Sequence, residues 1–342
     1  MPKPYDSTLT LAVRSQGQIG AVQHMRDLAD GVREAVKNSR AVNTRKAYAA
    51  VQAQYEAWVE GCRAQGVHME TWPAEPKVVA LFAEQLRRDG YARGTIEHRI
   101  STLGRLAKLR GQDNPARADI VRLTLDGFRR TMPKFTNQKD PLTADLLLQM
   151  LPPLPEDGGL ELLSNVQVRD RTILLLGLAA GFRRSEMCAL DWNHLKWNHQ
   201  GVVIHVPRSK TDQTGEGEWV AIRLARDPNL CAVTALTDWR RRVVTRGGDE
   251  VLRPITKTGE IRHRRLTPDG LRRIVQSRAQ RAGVADEFDI AAHSLRSGMA
   301  TEMAMRGVPI EKIAEQGRWD SLTTVKRYIR PVIALASAPN VL

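Results

Sequence analysis

Tyr328 lies within Val325-Lys326-Arg327-Tyr328-Ile329-Arg330, and after Tyr91 it is the only tyrosine in the chain. Three cations flank that phenol. A phenol of pKa about 10 becomes a nucleophile at neutral pH only where positive charge favours the phenolate or a base removes its proton. Four other fragments carry groups that could work with it. In Gly181-Phe182-Arg183-Arg184-Ser185-Glu186 an apolar helix gives way to charge, and Glu186, three residues past Arg183, shares its helical face and can brace the guanidinium. Lys210, in Arg208-Ser209-Lys210-Thr211-Asp212, falls at the turn after an alternating strand, a mobile place from which an ammonium can reach a ligand and withdraw. His293-Ser294-Leu295-Arg296 sets an imidazole and a guanidinium on one helical face. Gly317-Arg318-Trp319-Asp320 supplies an indole N–H able to donate to a phosphate oxygen. Taken singly, each has a plainer reading: Arg183 as a helix-end surface charge, Lys210 as a solvated turn residue, His293 as a cap with Arg296 paired to Glu302, and Trp319 as core.

The elements that must position these groups follow from composition and periodicity. A chain of 342 residues exceeds the usual single-domain size, so two domains are expected. The 52 Lys and Arg against 38 Asp and Glu give a net charge of +14, which favours a polyanionic partner, nucleic acid ahead of an anionic membrane surface. Cys62, Cys188 and Cys231 are odd in number and far apart, which argues against a disulfide framework and for a reducing compartment. The N-terminus shows no signal pattern and the longest apolar run, 173–182, is too short to cross a bilayer, so the cytoplasm is the expected location and no membrane partner is expected. No GxxxxGK-S/T loop, HExxH, GxSxG elbow or CxxC pair occurs, which weighs against ATP-driven and zinc-driven chemistry.

Residues 1–20 lack a sustained period and are expected to form a loose tail. Met25, Leu28, Ala29, Val32 and Val36 then recur at helical spacing, and further helices are predicted over 43–64, 76–89, 94–110 and 116–131, making residues 21–131 an all-helical module. Residues 132–142, with two prolines, read as a linker. In 143–342, helices are predicted over 143–151, 167–181, 229–245, 267–282, 293–306, 309–316 and 321–329. The alternation of Val202, Ile204 and Val206, then Trp219 to Leu224 after a turn, predicts a small antiparallel sheet. The expected class is mainly α, with a mixed α/β second domain.

In this order, Arg, Lys, His-x-x-Arg, Trp and a near-terminal Tyr, the set resembles the tyrosine recombinase (phage integrase) family, and within it the Cre-like recombinases. Trp72-Pro73-Ala74-Glu75-Pro76 and Gly90-Tyr91-Ala92-Arg93-Gly94-Thr95-Ile96 are similar to the helical N-terminal domain of Cre-like members, so the likeness covers nearly the whole chain. The first twenty or so residues and the last dozen add little to it. The resemblance implies an all-helical, SAM-like core-binding domain joined to a mixed α/β catalytic domain. It implies that Arg183 and Arg296 clamp the nonbridging oxygens of a scissile phosphate, that His293 and Trp319 add hydrogen bonds, and that Glu186 orients its neighbours. Tyr328 would attack phosphorus and Lys210 would protonate the leaving 5'-oxygen. Because a 3'-phosphotyrosine bond conserves the phosphodiester energy, no cofactor and no metal are implied. The implied partner is double-stranded DNA bearing inverted-repeat sites, bound by a dimer per site and a homotetramer on two sites, with exchange through a Holliday junction.

By the same resemblance, Arg45 and Lys46, and the helix starting near Thr95 with Glu97, His98 and Arg99, face the major groove. Arg262, Arg264 and Arg265, then Arg272, Arg273 and Arg278, fit phosphate contacts, with a solvated helix face as the alternative for several of them. Asp269 departs from the Cre-like pattern, which has a guanine-reading arginine there, so a different target sequence is implied. The apolar tail from Pro331 to Leu342 suits either docking into a neighbouring protomer or folding onto its own domain. Two rival functions remain at this level. One is a type IB topoisomerase-like strand transferase, which would lack tetramer-forming surfaces. The other is a DNA-binding or architectural protein without catalysis, against which the complete residue set speaks.

Overall fold

Apolar residues recurring every three or four positions fold as helices over most of the chain, in line with the mainly helical class read from the sequence. The computed structural model describes residues 19–38, 42–133, 139–154, 162–207, 217–244 and 247–336, in two compact units, Met1–Asn137 and Gln138–Leu342. Among the described residues there are thirteen α-helices and one three-stranded antiparallel sheet. None of those helices is long and apolar enough to cross a membrane.

The first unit holds α1 (Ile19–Asn38), α2 (Val42–Ala64), α3 (Pro76–Arg88), α4 (Arg93–Leu109) and α5 (Asp119–Thr131). Its core is aromatic at the centre, where Tyr55 meets Phe82 and Trp72 edge-on with ring centroids 5.2 and 5.7 Å apart, and Ile96, Ile100 and Leu103 of α4 close over them. The pattern predicted one helix over 116–131. Instead the Asn114 side chain accepts from Ala116 N at 3.0 Å and holds Pro115–Arg117 as a 3₁₀ turn, so α5 starts at Asp119. On α1, Leu28 and Val32 of the predicted apolar stripe stay uncovered, 50% and 47% exposed.

The second unit runs α6 (Ala144–Met150), α7 (Asn165–Ala180), α8 (Arg184–Cys188), β1 (Leu195–Asn198), β2 (Gly201–Val206), β3 (Glu218–Arg223), α9 (Ala232–Val244), α10 (Pro268–Arg281), α11 (Ala292–Met305), α12 (Ile310–Gly317) and α13 (Leu322–Ala336). In the β1-β2-β3 sheet Ile204 pairs with Leu195 on one side and Val220 on the other, so alternate residues of β2 enter the core. Strand β1 is too short to show alternation in the sequence. It forms because the Asn198 side chain accepts from Gln200 N at 2.9 Å and Gly201 N at 3.0 Å, which closes a hairpin onto β2. Helix α13 continues through Pro331 to Ala336, past the expected end at 329, carried by the helix formers Ala334, Leu335 and Ala336.

Helix α7 is the spine of this unit. A Ser164–Gln167 capping box starts it, with Ser164 N donating to Gln167 Oε1 at 2.9 Å, and residues on every side of it are buried. Most of the apolar core packs around it, while a separate small cluster of Ala300, Ile313, Ala314, Val325 and Ile329 joins α11, α12 and α13.

Candidate active site

Helix α7 ends at Gly181, whose φ of +56° closes the helix in the left-handed region. A side chain there would meet Met299 at 2.4 Å, so glycine is required both by its conformation and by the close approach of α11. Phe182 is then buried, and this pins the next residue, Arg183, at the N-cap of the five-residue helix α8. That helix escaped the sequence reading because it is one turn long and exists through a single side chain. Glu186 Oε2 accepts from Arg183 N at 3.0 Å while Glu186 Oε1 accepts from Arg183 Nη1 at 2.5 Å. The carboxylate is almost wholly enclosed, and it also receives Arg318 Nη2 at 3.0 Å. Burial alone would raise its pKa; the guanidiniums of Arg318 and Arg183 and the Arg183 main-chain N–H outweigh that and hold it below the usual range.

Arg296 lies one turn along α11 from His293 and is 1% exposed. Its Nη1 donates to Gly181 O at 2.6 Å, its Nη2 reaches Arg318 O at 3.4 Å, and its guanidinium lies 4.2 Å from the Trp319 ring centroid. Burial and the neighbouring Arg183 charge lower its pKa. Glu302, the alternative partner for Arg296, instead accepts from Ala144 N at 2.6 Å and pairs with Arg306 at 3.5 Å. Trp319 passes the contact on, since its ring stands 5.5 Å from that of Tyr328. Its place against α12 needs Gly317, where a Cβ would fall 1.9 Å from the indole. Tyr328 is half-buried on α13, and its Oη lies 2.8 Å from His293 Nε2. The edge of that imidazole meets solvent. Desolvation by its neighbours and the charges of Arg296, Arg183 and Arg184 push its pKa down, so the ring is neutral near pH 7.

Direct contacts join Arg183 to Glu186 and link His293, Tyr328, Trp319 and Arg296 in series, and Arg318 ties the two groups together through Glu186 and its own carbonyl, so residues from α8, α11, α13 and the loop after α12 form one cluster. Lys210 lies outside the described residues. One member was missed. Arg318 was read only as part of the motif around Trp319, yet it is the second partner of Glu186. The signal was a cation placed at the end of an amphipathic helix, directly after a glycine.

The residues assigned to DNA fare unevenly. In the first unit, Lys46, Thr95 and His98 are exposed and Arg45 half-buried, while the Arg99 guanidinium lies 3.8 Å from the Tyr91 ring centroid. In the second, Arg262, Arg264 and Arg273 are exposed. Arg265 is held by Asp191 at 2.7 Å and by the carbonyls of Cys188 and Leu190, and Arg278 donates twice to Met150 O. Asp269 pairs with both Arg272 at 2.7 Å and Arg273 at 2.9 Å.

Residues 154–332 match the model of the phage integrase family. An integrase/recombinase xerD homolog of Selenomonas ruminantium is 33% identical over 297 residues, which is 86% of this chain and 83% of the relative. The fold is shared with a XerH site-specific recombinase solved on palindromic difH substrate, at TM-score 0.53 and 16% identity over 78% of this chain and 72% of that one. It is shared also with a lambda integrase dimer solved on a COC' core site, at TM-score 0.56 and 15% identity over 92% and 82% of the two chains. With the cluster around Tyr328 in place, the family match and the xerD-type relative lead to one assignment: the chain belongs to the phage integrase family of site-specific tyrosine recombinases, enzymes that cleave and rejoin DNA strands.

Proposed function

We propose that this chain recombines two duplex sites of short inverted-repeat sequence, with Tyr328 as nucleophile, a 3'-phosphotyrosine intermediate and a Holliday junction. The observation that carries the reading is the 2.8 Å contact between Tyr328 Oη and His293 Nε2 beside buried guanidiniums. A neutral imidazole can take the phenol proton as the oxygen attacks phosphorus. The new bond joins phosphorus to Tyr328 Oη, the bond to the 5'-oxygen breaks, and Lys210 delivers the proton that makes the leaving group a hydroxyl. Arg183 and Arg296 stabilise the charge that builds on the nonbridging oxygens, a planar two-donor task that suits arginine. Trp319 fixes Arg296 and the phenol relative to each other. Attack by a 5'-hydroxyl of the other duplex reverses each step and transfers the strand.

The Cre-like part of the reading is the economy of the complex: a dimer per site, four protomers on two sites, and little dependence on accessory proteins. Arg45, Lys46, Thr95 and His98 would read the groove and Arg262, Arg264 and Arg273 would meet phosphates, work done on DNA in the cytoplasm. The test is covalent capture of duplex DNA, read after denaturation as a protein–DNA adduct. The wild-type chain is expected to give the adduct, and Tyr328→Phe to bind the same DNA and give none. Equal adducts from both would overturn the assignment of the nucleophile.

A further inference from the structure

Arg318 has a side chain that is 2% exposed and a backbone φ of +55°, which makes it the non-glycine residue in the left-handed region among the described residues. A Cβ is disfavoured in that conformation, so the residue is kept there against local preference. Its Nη1 donates to Ala180 O at 3.2 Å and Gln316 O at 3.1 Å, its Nη2 to Glu186 Oε2 at 3.0 Å, and its guanidinium lies 5.0 Å from the Phe182 ring centroid. Its own carbonyl receives Arg296 Nη2 at 3.4 Å. Gly181 O is shared, with Arg296 Nη1 at 2.6 Å and Arg318 Nη2 at 3.5 Å.

We propose that Arg318 is a positioning residue for strand cleavage, which sets Arg183 through Glu186 and Arg296 through its main-chain carbonyl and the shared Gly181 carbonyl. The inference rests on the recombinase reading above. Two physical reasons carry it. The first is geometric: Glu186 Oε2 is fixed between Arg183 N and Arg318 Nη2, both at 3.0 Å, and this leaves Oε1 aimed at Arg183 Nη1. Without Arg318 the carboxylate loses its inner anchor and Arg183 loses its aim. The second is electrostatic. A buried carboxylate paired with Arg183 alone would cancel the charge that a phosphate needs, whereas a second guanidinium behind it occupies the carboxylate and leaves Arg183 net positive toward the substrate. Glu218, at the start of β3, faces Arg318 Nε at 3.9 Å, and among the described residues neither Arg318 Nε nor Glu218 Oε2 makes a hydrogen bond, so this contact does not satisfy Arg318 in place of Glu186.

The probe is a set of duplexes captured covalently by the wild-type chain from a random-sequence pool. If the wild-type chain captures none, the recombinase reading itself fails and takes this inference with it. On captured duplexes, the single-turnover rate of adduct formation and the affinity are measured separately for Arg318→Gly, Arg318→Met, Arg318→Lys and Glu186→Gln. Arg318→Gly and Arg318→Met should slow adduct formation by about tenfold or more while affinity stays within about twofold, and Arg318→Lys should recover part of the rate. Arg318→Gly separates side chain from backbone, because glycine relieves the left-handed conformation: a Gly variant as fast as wild type overturns the inference. Combined with Glu186→Gln, Arg318→Met should slow the reaction less than it does alone, since its route to Arg183 runs through the same carboxylate; a slowing equal to the product of the two single effects also overturns it. A methyl group in place of one nonbridging oxygen makes the scissile linkage uncharged, and the Arg318→Met defect should shrink on it. A defect of equal size on both linkages means a general loss of structure and sinks the proposal. Should the Gly and Met variants melt below the assay temperature, the same comparisons are made with Arg318→Lys, whose slowing must again be non-additive with Glu186→Gln.

Discussion

Arg183 and Arg296 grow out of the large core around α7, in which Ile173, Leu174 and Leu176 are fully enclosed, whereas Tyr328 rides on α13, anchored through Val325 and Ile329 to a satellite cluster of five buried residues. On the proposed mechanism the two regions serve one reaction with different demands. Groups that stabilise developing charge must stand ready before the reaction, since turning them during it forfeits much of their benefit. The nucleophile must reach a phosphorus, carry DNA on its oxygen and release it again. A helix held by a small cluster can open or shift at modest cost, while the frame that bears the arginines stays closed.

The largest effect is expected at the junction of the clamp. Glu186→Ala removes the carboxylate that holds two guanidiniums, Arg183 at 2.5 Å and Arg318 at 3.0 Å, and leaves the buried Arg318 without its charge partner. Breaking a buried ion pair from one side costs about 3–5 kcal/mol. Thermal unfolding of the second unit should show that loss together with failure of DNA cleavage. A variant that keeps wild-type stability and rate would mean that the clamp is not preorganised by this carboxylate, and the contrast between the regions would lose its stronger half.

The next test compares equal chemistry in the two regions. Ile173 and Ile329 are 0% and 3% exposed, one in the main core and one in the satellite. Truncating a buried isoleucine to alanine costs about 2–5 kcal/mol. Ile173→Ala should lower protection of amides throughout the second unit. Ile329→Ala should lower it chiefly in α13, by about tenfold for each 1.4 kcal/mol lost, and leave α7 unchanged, as hydrogen exchange can read directly. Protection falling in α7 and α13 alike after Ile329→Ala would show a single cooperative unit and remove the basis for a separately mobile nucleophile.

The same division decides how much the sequence could say. Helix periodicity was legible where one face is buried, as in α3, α4 and α10. The candidate site residues were legible from their order along the chain, Arg, Lys, His-x-x-Arg, Trp and Tyr, which resembles the family pattern, since each fragment alone has a plainer reading. What stayed hidden depends on single tertiary contacts. Helix α8 hangs on one Glu186–Arg183 capping pair, β1 on the Asn198 turn, and the 3₁₀ turn before α5 on the Asn114 side chain. Arg318 was hidden for a related reason: its sequence neighbours describe a helix end, and only the packing of α7 against the loop after α12 brings Glu186 to it. The surface arginines show the reverse limit of the sequence. Charge and motif position made Arg265 and Arg278 look available to DNA, whereas the fold gives them carbonyl and carboxylate partners of their own.

The smallest expected effect comes where the two regions meet, at His293, whose helix α11 contributes Leu295 to the main core and Ala300 to the satellite. Desolvation, then the charges of Arg296, Arg183 and Arg184, hold its folded pKa below the ordinary value of 6.5, while Tyr328 faces it from α13. The unfolded chain therefore binds a proton on this ring more readily than the folded one. The contribution to stability is complete above about pH 6.5, the unfolded value, and is lost as the pH falls through the folded one. His194 has a lowered pKa as well and adds a slope of the same sign, so the informative quantity is the difference between wild type and His293→Gln. Melting temperatures taken from about pH 7.5 down to about 5.5, a window that brackets the unfolded value, should fall more steeply for wild type than for the variant. The rate of adduct formation in wild type should fall as the pH drops through the lowered folded value, because a protonated imidazole can no longer accept the Tyr328 proton. Parallel melting curves for the two proteins would mean that neither burial nor the arginine charges shift this imidazole, and that the two regions are joined by contact alone.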